Sequence, residues 1–139
     1  MKRFKAVVVA VVAAAGMSVT VTPAQAADVC STGGGGRYIC DYGVTQHALP
    51  KGEKEQFVIG ADYAVWTRWT KDERWTGWVS LGMPDPAGSA RATSRVTVTD
   101  QPGTSQTAIT LRNSNGALVG RTRSVPGASW TPWDFPNCC

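Results

Sequence analysis

From residue 42 onward, hydrophobic and polar residues alternate in short runs and lack the spacing of an amphipathic helix. The runs are rich in Val, Ile, Thr, Trp and Tyr, and glycine, proline and Asx turns separate them. This pattern predicts eight strands, at 42–49, 56–59, 64–70, 77–81, 95–99, 107–111, 117–122 and 129–133. Strands of this length and spacing are typical of an all-β domain. Asn115-Gly116, between two hydrophobic runs, predicts a hairpin turn.

The N-terminus follows a different pattern, in which basic residues precede an uninterrupted apolar run. Three basic residues lie within the first five positions, residues 6–15 are all apolar, and residues 24–26 read Ala-Gln-Ala. Ten apolar residues are too few to cross a bilayer, which takes about 20, but they suit a secretory signal with its cleavage motif. We therefore expect residues 1–26 to be a signal peptide, and the mature protein to be secreted without a membrane partner.

Removal of this segment changes the charge of the chain. The full sequence has 14 basic and 10 acidic residues and a pI near 9.1. The expected signal peptide contains three basic residues and no acidic one, so the mature chain has 11 basic and 10 acidic residues. A nearly neutral chain lacks the basic surface that nucleic-acid binding requires. The remaining 113 residues suffice for one domain.

Four cysteines, Cys30, Cys40, Cys138 and Cys139, remain after cleavage. Disulfides persist in an oxidising compartment, and four cysteines allow three pairings. The pairing of Cys30 with Cys40 would leave two adjacent cysteines to form a strained bridge. We therefore expect a clamp that joins the two chain ends, and a flexible glycine-rich lead-in over residues 27–41.

An internal comparison divides the remaining residues, 42–139, into two copies. Three pairs of segments correspond, namely 60–68 with 113–121, 75–78 with 130–133, and 43–52 with 95–103. The first pair is offset by 53 residues and the second by 55. Each copy, about 42–82 and 94–135, predicts four short strands, which is the size of one propeller blade.

The first copy reads FVIGADYAVWTRW over 57–69 and WTGWVSLG over 75–82. This resembles the blade motif of the PLL-like β-propellers, which are bacterial lectins similar to tectonin repeats. Propellers of that family close with several blades, whereas this chain has two. The resemblance leaves two arrangements open: a small disulfide-clamped sandwich or barrel, or part of a propeller completed by further chains.

The resemblance also implies candidate sugar-binding residues. Sugar sites in these lectins lie between adjacent blades and use aromatic and polar groups, which here match Trp66, Arg68, Trp75, Trp78, Arg121, Trp130 and Trp133. Aromatic rings offer flat surfaces to the C–H faces of sugars, and arginines offer donors to hydroxyl groups. The alternative is that these tryptophans supply core volume to a small domain.

The sequence offers little for catalysis or metal binding. His47 is the only histidine, there is no G-x-S-x-G motif, and the adjacent Asp72 and Glu73 do not form a facing carboxylate pair. Adjacent cysteines with one histidine lack the spacing of zinc ligands. We therefore expect a secreted glycan-binding protein with no enzyme activity, metal or cofactor.

Two other functions remain open. A small secreted interaction protein, such as a protease inhibitor or a toxin-like effector, could use the blade motif as scaffold. The chain could also be a homo-oligomer subunit whose function requires a complete ring.

Overall fold

The computed structural model describes residues 26–136, which form ten β-strands and two 3-10 turns. The strands are β1 (Val29–Ser31), β2 (Arg37–Ile39), β3 (Thr45–Ala48), β4 (Lys54–Ile59), β5 (Val65–Lys71), β6 (Arg74–Trp75), β7 (Val79–Gly82), β8 (Thr97–Asp100), β9 (Thr107–Arg112) and β10 (Leu118–Arg123). The 3-10 turns are Cys40–Tyr42 and Pro50–Gly52. The all-β prediction is confirmed. All but the last residue of the expected signal peptide lie outside the described residues.

Two larger antiparallel sheets contain most of the strands. The first sheet has the order β3-β4-β5-β6, and β7 also pairs with β5. The second sheet has the order β10-β9-β8. An isolated bridge between Gly120 and Asp134 attaches the C-terminal segment to β10. Within residues 26–136 these sheets do not close into a barrel.

The two sheets share one hydrophobic core. Phe57 and Val65 from the first sheet and Ile109 and Val119 from the second are fully buried. On each strand they alternate with residues that face away from the core, as the pleat of a β-strand requires. Full burial of such a side chain contributes about 1.5–3 kcal/mol. The core therefore joins the sheets into one unit.

The N-terminal residues form a hairpin of β1 and β2, where the sequence predicts a flexible lead-in. A disulfide joins Cys30 to Cys40, with Cα atoms 5.2 Å apart. The expected end-to-end clamp is therefore wrong for these two cysteines. The reason is local, because antiparallel pairing and the bond from the Cys40 N–H to the Asp28 carbonyl (2.9 Å) bring them together. Cys138 and Cys139 lie outside the described residues.

Seven of the eight predicted strands are present, with ends shifted by a few residues. The hairpin at Asn115-Gly116 is confirmed, and Gly116 has the positive φ (75°) that glycine adopts without steric cost. The prediction for 129–133 is wrong, because the backbone of this segment forms isolated hydrogen bonds with β10 instead of a continuous ladder. Pro132 has no N–H to donate to a ladder.

The two longest hairpins have the same turn geometry. In the β4–β5 turn the Gly60 N–H donates to the Ala64 carbonyl at 2.9 Å, and in the β9–β10 turn the Asn113 N–H donates to the Ala117 carbonyl at 3.0 Å. The strand registers around these turns are also related by 53 residues. This spacing equals the offset between the two copies in the sequence.

Corresponding residues of the two hairpins nevertheless differ in their orientation toward the shared core: where one faces the core, its counterpart faces away from it. Phe57 is in the shared core, whereas Thr110, 53 residues later, faces away from it. Conversely, Val119 is in the core and its counterpart Trp66 faces away. The sheets thus pack through unlike faces, and the first sheet presents its Trp66 side to the N-terminal hairpin.

Candidate functional site

Arg68 lies between two tryptophan rings on the outer face of the first sheet. Its Cζ atom is 4.4 Å from the centroid of the Trp75 ring and 4.7 Å from that of Trp78. The β5–β6 hairpin places Trp75 opposite Thr70, and Trp78 directly precedes β7 beside β5. Cation–π contacts of this kind contribute about 2 kcal/mol when they are desolvated. Three of the predicted site residues are therefore in contact.

The guanidinium of Arg68 has few polar partners. The side chain is 9% exposed, and its only hydrogen bond within residues 26–136 runs from Nε to Gln56 Oε1 at 2.9 Å. No carboxylate of the described chain pairs with it. Desolvation lowers the pKa of Arg68, since burial disfavours the charged form. Its terminal nitrogens remain available as donors.

A groove of about 360 Å³ lies beside this stack, between the first sheet and the N-terminal hairpin. Trp66 and Trp78 line it together with Val58, Arg37 and Asp62. The Asp62 carboxylate accepts a hydrogen bond from Trp66 Nε1 at 3.0 Å and one from the Ala64 N–H at 3.1 Å. The groove thus combines aromatic surface with a carboxylate and a guanidinium.

The tip of the N-terminal hairpin is residues 33–36, and residues 34–36 of it cover the other side of the groove. Gly33, Gly34 and Gly35 all have positive φ. A Cβ atom on Gly36 would clash with Trp78 Nε1 and would lie 2.8 Å from Trp78 Cε2. Only glycine allows this approach, which seals the indole N–H of Trp78 away from solvent without a hydrogen-bond acceptor.

In the second copy, the corresponding side chains are used for internal contacts. Arg121 Nη1 and Trp133 Nε1 both donate to the Leu81 carbonyl of β7, each at 2.7 Å. Arg121 Nε also donates to the Thr131 carbonyl. Arg121 and Trp133 line a separate groove of about 470 Å³ on the second sheet. The structure therefore separates Arg121 and Trp133 from the predicted residues of the first copy.

Trp130 lies between the two sheets. Its ring meets Phe57 edge-on, with centroids 6.0 Å apart, and the Cζ atom of Arg123 is 4.6 Å from its centroid. The sequence leaves open the alternative that each tryptophan supplies core volume. For Trp130 that packing role accounts for the observed contacts.

Buried charges connect the sheets near Trp130. The carboxylate of Glu55 accepts two hydrogen bonds from Arg123 and faces His47 Nδ1 at 3.1 Å. The other ring nitrogen of His47 lies 2.9 Å from Asp100 Oδ2. His47 therefore bridges two carboxylates, a structural arrangement that the sequence does not predict.

The sequence predicts Trp66, Arg68, Trp75 and Trp78 as site residues, but not the stacking of Arg68 on two tryptophans or the contribution of residues 34–36. Consecutive glycines resemble a linker, and their role appears only through the long-range contact of Gly36 with Trp78. Gln56 is also missed, because the partner of Arg68 follows from the register of β4 and β5.

No protein-family model and no curated protein matches this chain. Residues 26–136 contain no helix long and apolar enough to span a membrane. In the same part of the chain, no cluster of three or more His, Cys, Asp or Glu side chains could hold a metal ion.

Proposed function

We propose that this chain is a secreted carbohydrate-binding protein without catalytic activity, and that the groove of the first copy holds a sugar ring. One observation carries this proposal: the groove places the rings of Trp66 and Trp78 beside the carboxylate of Asp62. Small-molecule sites combine apolar walls with a few fixed polar groups in the same way. The aromatic rings would contact C–H faces, and the carboxylate would accept hydrogen bonds from hydroxyl groups.

We interpret the two copies as blade-like units of the PLL-like type, stacked in sequence. Blades of a propeller meet through unlike faces, and the opposite orientation of Phe57 and Thr110 supports this arrangement over a symmetric sandwich. The N-terminal hairpin then lies on the outer side of the first unit, where it supplies one wall of the groove. A cap of this kind suits a short repeat stack, whose end units need protected faces.

The first copy supplies the site in this proposal, because within residues 26–136 Arg68 and Trp78 lack the shared acceptor that their counterparts in the second copy have. Arg121 and Trp133 already donate to Leu81, whereas Arg68 and Trp78 have no such acceptor within the described residues. We therefore assign ligand contact to Trp66, Arg68 and Trp78, support of Arg68 by stacking to Trp75, and packing to the three residues of the second copy.

Tryptophan fluorescence during titration with a glycan panel tests the proposal, since two tryptophans line the groove. We expect a saturable change with at least one fucosylated, galactosyl or amino-sugar ligand. Asp62→Asn should weaken binding by about tenfold, which corresponds to one charge-assisted hydrogen bond. Asp72→Asn is the matched control, because Asp72 is exposed in the β5–β6 turn outside the groove. A flat response to the whole panel would refute carbohydrate binding.

A further inference from the structure

The charge of Arg68 is not compensated by the described chain. Arg123 is similarly buried, yet it forms a two-point pair with Glu55. Arg68 has two aromatic faces and one amide oxygen, and none of these carries a full negative charge. A buried charge without a counter-ion is costly. An anionic group that reached Arg68 would therefore bind with a more favourable free energy than a neutral group.

The second copy contains a corresponding arginine and tryptophan, and there an acceptor oxygen lies between them. Arg121 and Trp133 hold one oxygen atom, the Leu81 carbonyl, between a guanidinium N–H and an indole N–H. Arg68 and Trp78 correspond to them at the offsets of 53 and 55 residues, and the guanidinium stacks on the indole in both copies. What the first copy lacks is the acceptor, since Trp78 Nε1 is buried without one.

The groove gives access to the guanidinium of Arg68. Gly34 lines the groove, and a Cβ atom on it would lie 3.5 Å from Arg68 Nη1, so this nitrogen sits at the groove margin. Arg37 lines the same groove and adds a second positive charge. The one carboxylate there, that of Asp62, already accepts hydrogen bonds from Trp66 and Ala64.

We infer that the ligand of this groove is a carboxylated sugar of the uronic-acid class, with its carboxylate paired to Arg68. This inference rests on the proposed function, because it specifies the ligand of the same site. A planar carboxylate matches the edge of a guanidinium in a two-point geometry. Because Nε of Arg68 already donates to Gln56, the two terminal nitrogens are the donors that such a carboxylate would meet. Residues 33–36 must shift slightly for the carboxylate also to reach Trp78 Nε1.

Paired ligands that differ only at C6 test the inference. Glucuronate is compared with glucose, and galacturonate with galactose, by tryptophan fluorescence. We expect each uronate to bind at least about tenfold more tightly than its neutral partner, as a charge-assisted pair would provide. Uronate affinity should fall as salt rises from about 50 to about 500 mM, whereas neutral-sugar affinity should not, because screening acts on the charge pair.

Variants locate the charge responsible for the preference. Arg68→Gln should abolish the uronate preference, and Arg68→Lys should retain part of it. Arg95→Gln is the matched control, since Arg95 is an exposed arginine outside the groove. If Arg68→Gln does not fold, Arg37→Gln decides between the two arginines at the groove: a retained uronate preference supports Arg68, and a lost preference overturns the assignment.

The outcomes separate this inference from the proposed function. Equal binding of neutral and carboxylated sugars would overturn the inference and leave carbohydrate binding intact. A uronate preference that survives in folded Arg68→Gln, or binding of a sulfated sugar in place of the uronates, would also overturn it. Absence of binding to every sugar would refute both.

Discussion

Glu55 on β4 and Arg123 on β10 form a buried two-point ion pair between the two sheets. Nη1 lies 2.8 Å from Oε1 and Nη2 lies 2.5 Å from Oε2. Both side chains are almost completely removed from solvent. The hydroxyl of Thr67 and the ring of His47 also contact the carboxylate. This pair therefore fixes the relative position of the sheets.

Loss of one member of this pair should be strongly destabilising. Arg123→Met leaves a buried carboxylate without its cation, and we expect the free energy of unfolding in urea to fall by about 3–5 kcal/mol. The double variant Glu55→Leu/Arg123→Met should lose less, because no charge remains uncompensated. Arg112→Met, at an exposed arginine, should stay within about 0.5 kcal/mol of the unmodified protein. Additive losses in the double variant would contradict this account.

Acid should weaken the same region through Asp100. The hydrogen bond from His47 holds the pKa of the Asp100 carboxyl below its usual value; desolvation opposes this effect, and the hydroxyl of Thr107 supports it. A lowered folded-state pKa contributes stability above the unfolded-state value of about 3.9. That contribution disappears as the pH falls through the folded-state pKa.

We therefore expect the urea midpoints of the unmodified protein and Asp100→Asn to differ at pH 7 and to converge below about pH 3.9. Asp41→Asn provides the comparison, at an exposed carboxyl that forms no hydrogen bond with another side chain or backbone group of residues 26–136. A constant difference between the unmodified protein and Asp100→Asn at every pH would assign the effect to packing instead of charge.

The sequence predicts the strands well because their signals are local. Strands such as β8 and β9 are rich in Val, Ile and Thr, and the turn at Asn115-Gly116 uses the positive φ of Gly116. The N-terminal hairpin has no such signal, since four consecutive glycines carry no side-chain pattern. Its disulfide depends on the pairing of β1 with β2, which cysteine spacing alone does not reveal.

The candidate site is predictable only in part for a related reason. Trp75, Trp78 and Arg68 are close in sequence and share one sheet, so their proximity follows from neighbouring strands. Trp66 and Trp133 line different grooves, and this separation depends on which faces of the two sheets pack together. That choice is made by long-range packing, which a strand pattern does not encode.

The β5–β6 turn offers a stabilising substitution. Asp72 and Glu73 both have positive φ (51° and 64°), as a type I′ turn requires. Glycine adopts this conformation without the penalty of about 1–2 kcal/mol that other residues meet. We expect Glu73→Gly to raise the free energy of unfolding by about 1 kcal/mol. The reverse change at Gly116 (φ 75°), Gly116→Ala, should lower it by a similar amount. Destabilisation by Glu73→Gly would show an unrecognised contact of that side chain.

The small side chains on the outer face of the second sheet indicate that the protein is a monomer. Its residues Ala108 and Thr110 correspond to Glu55 and Phe57, which pack the first sheet against the second. Small side chains at these positions cannot reproduce that interface. We therefore expect native mass spectrometry at micromolar concentration to find single chains. A stable ring of several chains would instead support the assembly hypothesis.

Gly36 provides the most direct test of the hairpin that covers the groove. Its Cα atom lies against the Trp78 ring, and an added methyl group would meet Trp78 Nε1 and, at 2.5 Å, Thr32 Oγ1. We expect Gly36→Ala to lower the free energy of unfolding by about 1–3 kcal/mol, as overpacking does, and to change Trp78 fluorescence. Gly77→Ala is the matched control, because a Cβ atom there meets nothing within 4 Å and its φ is not positive. Since alanine restricts the unfolded chain, this control should be neutral or more stable by up to about 1 kcal/mol. Equal stabilities of the two variants would mean that the glycine tip does not pack against Trp78.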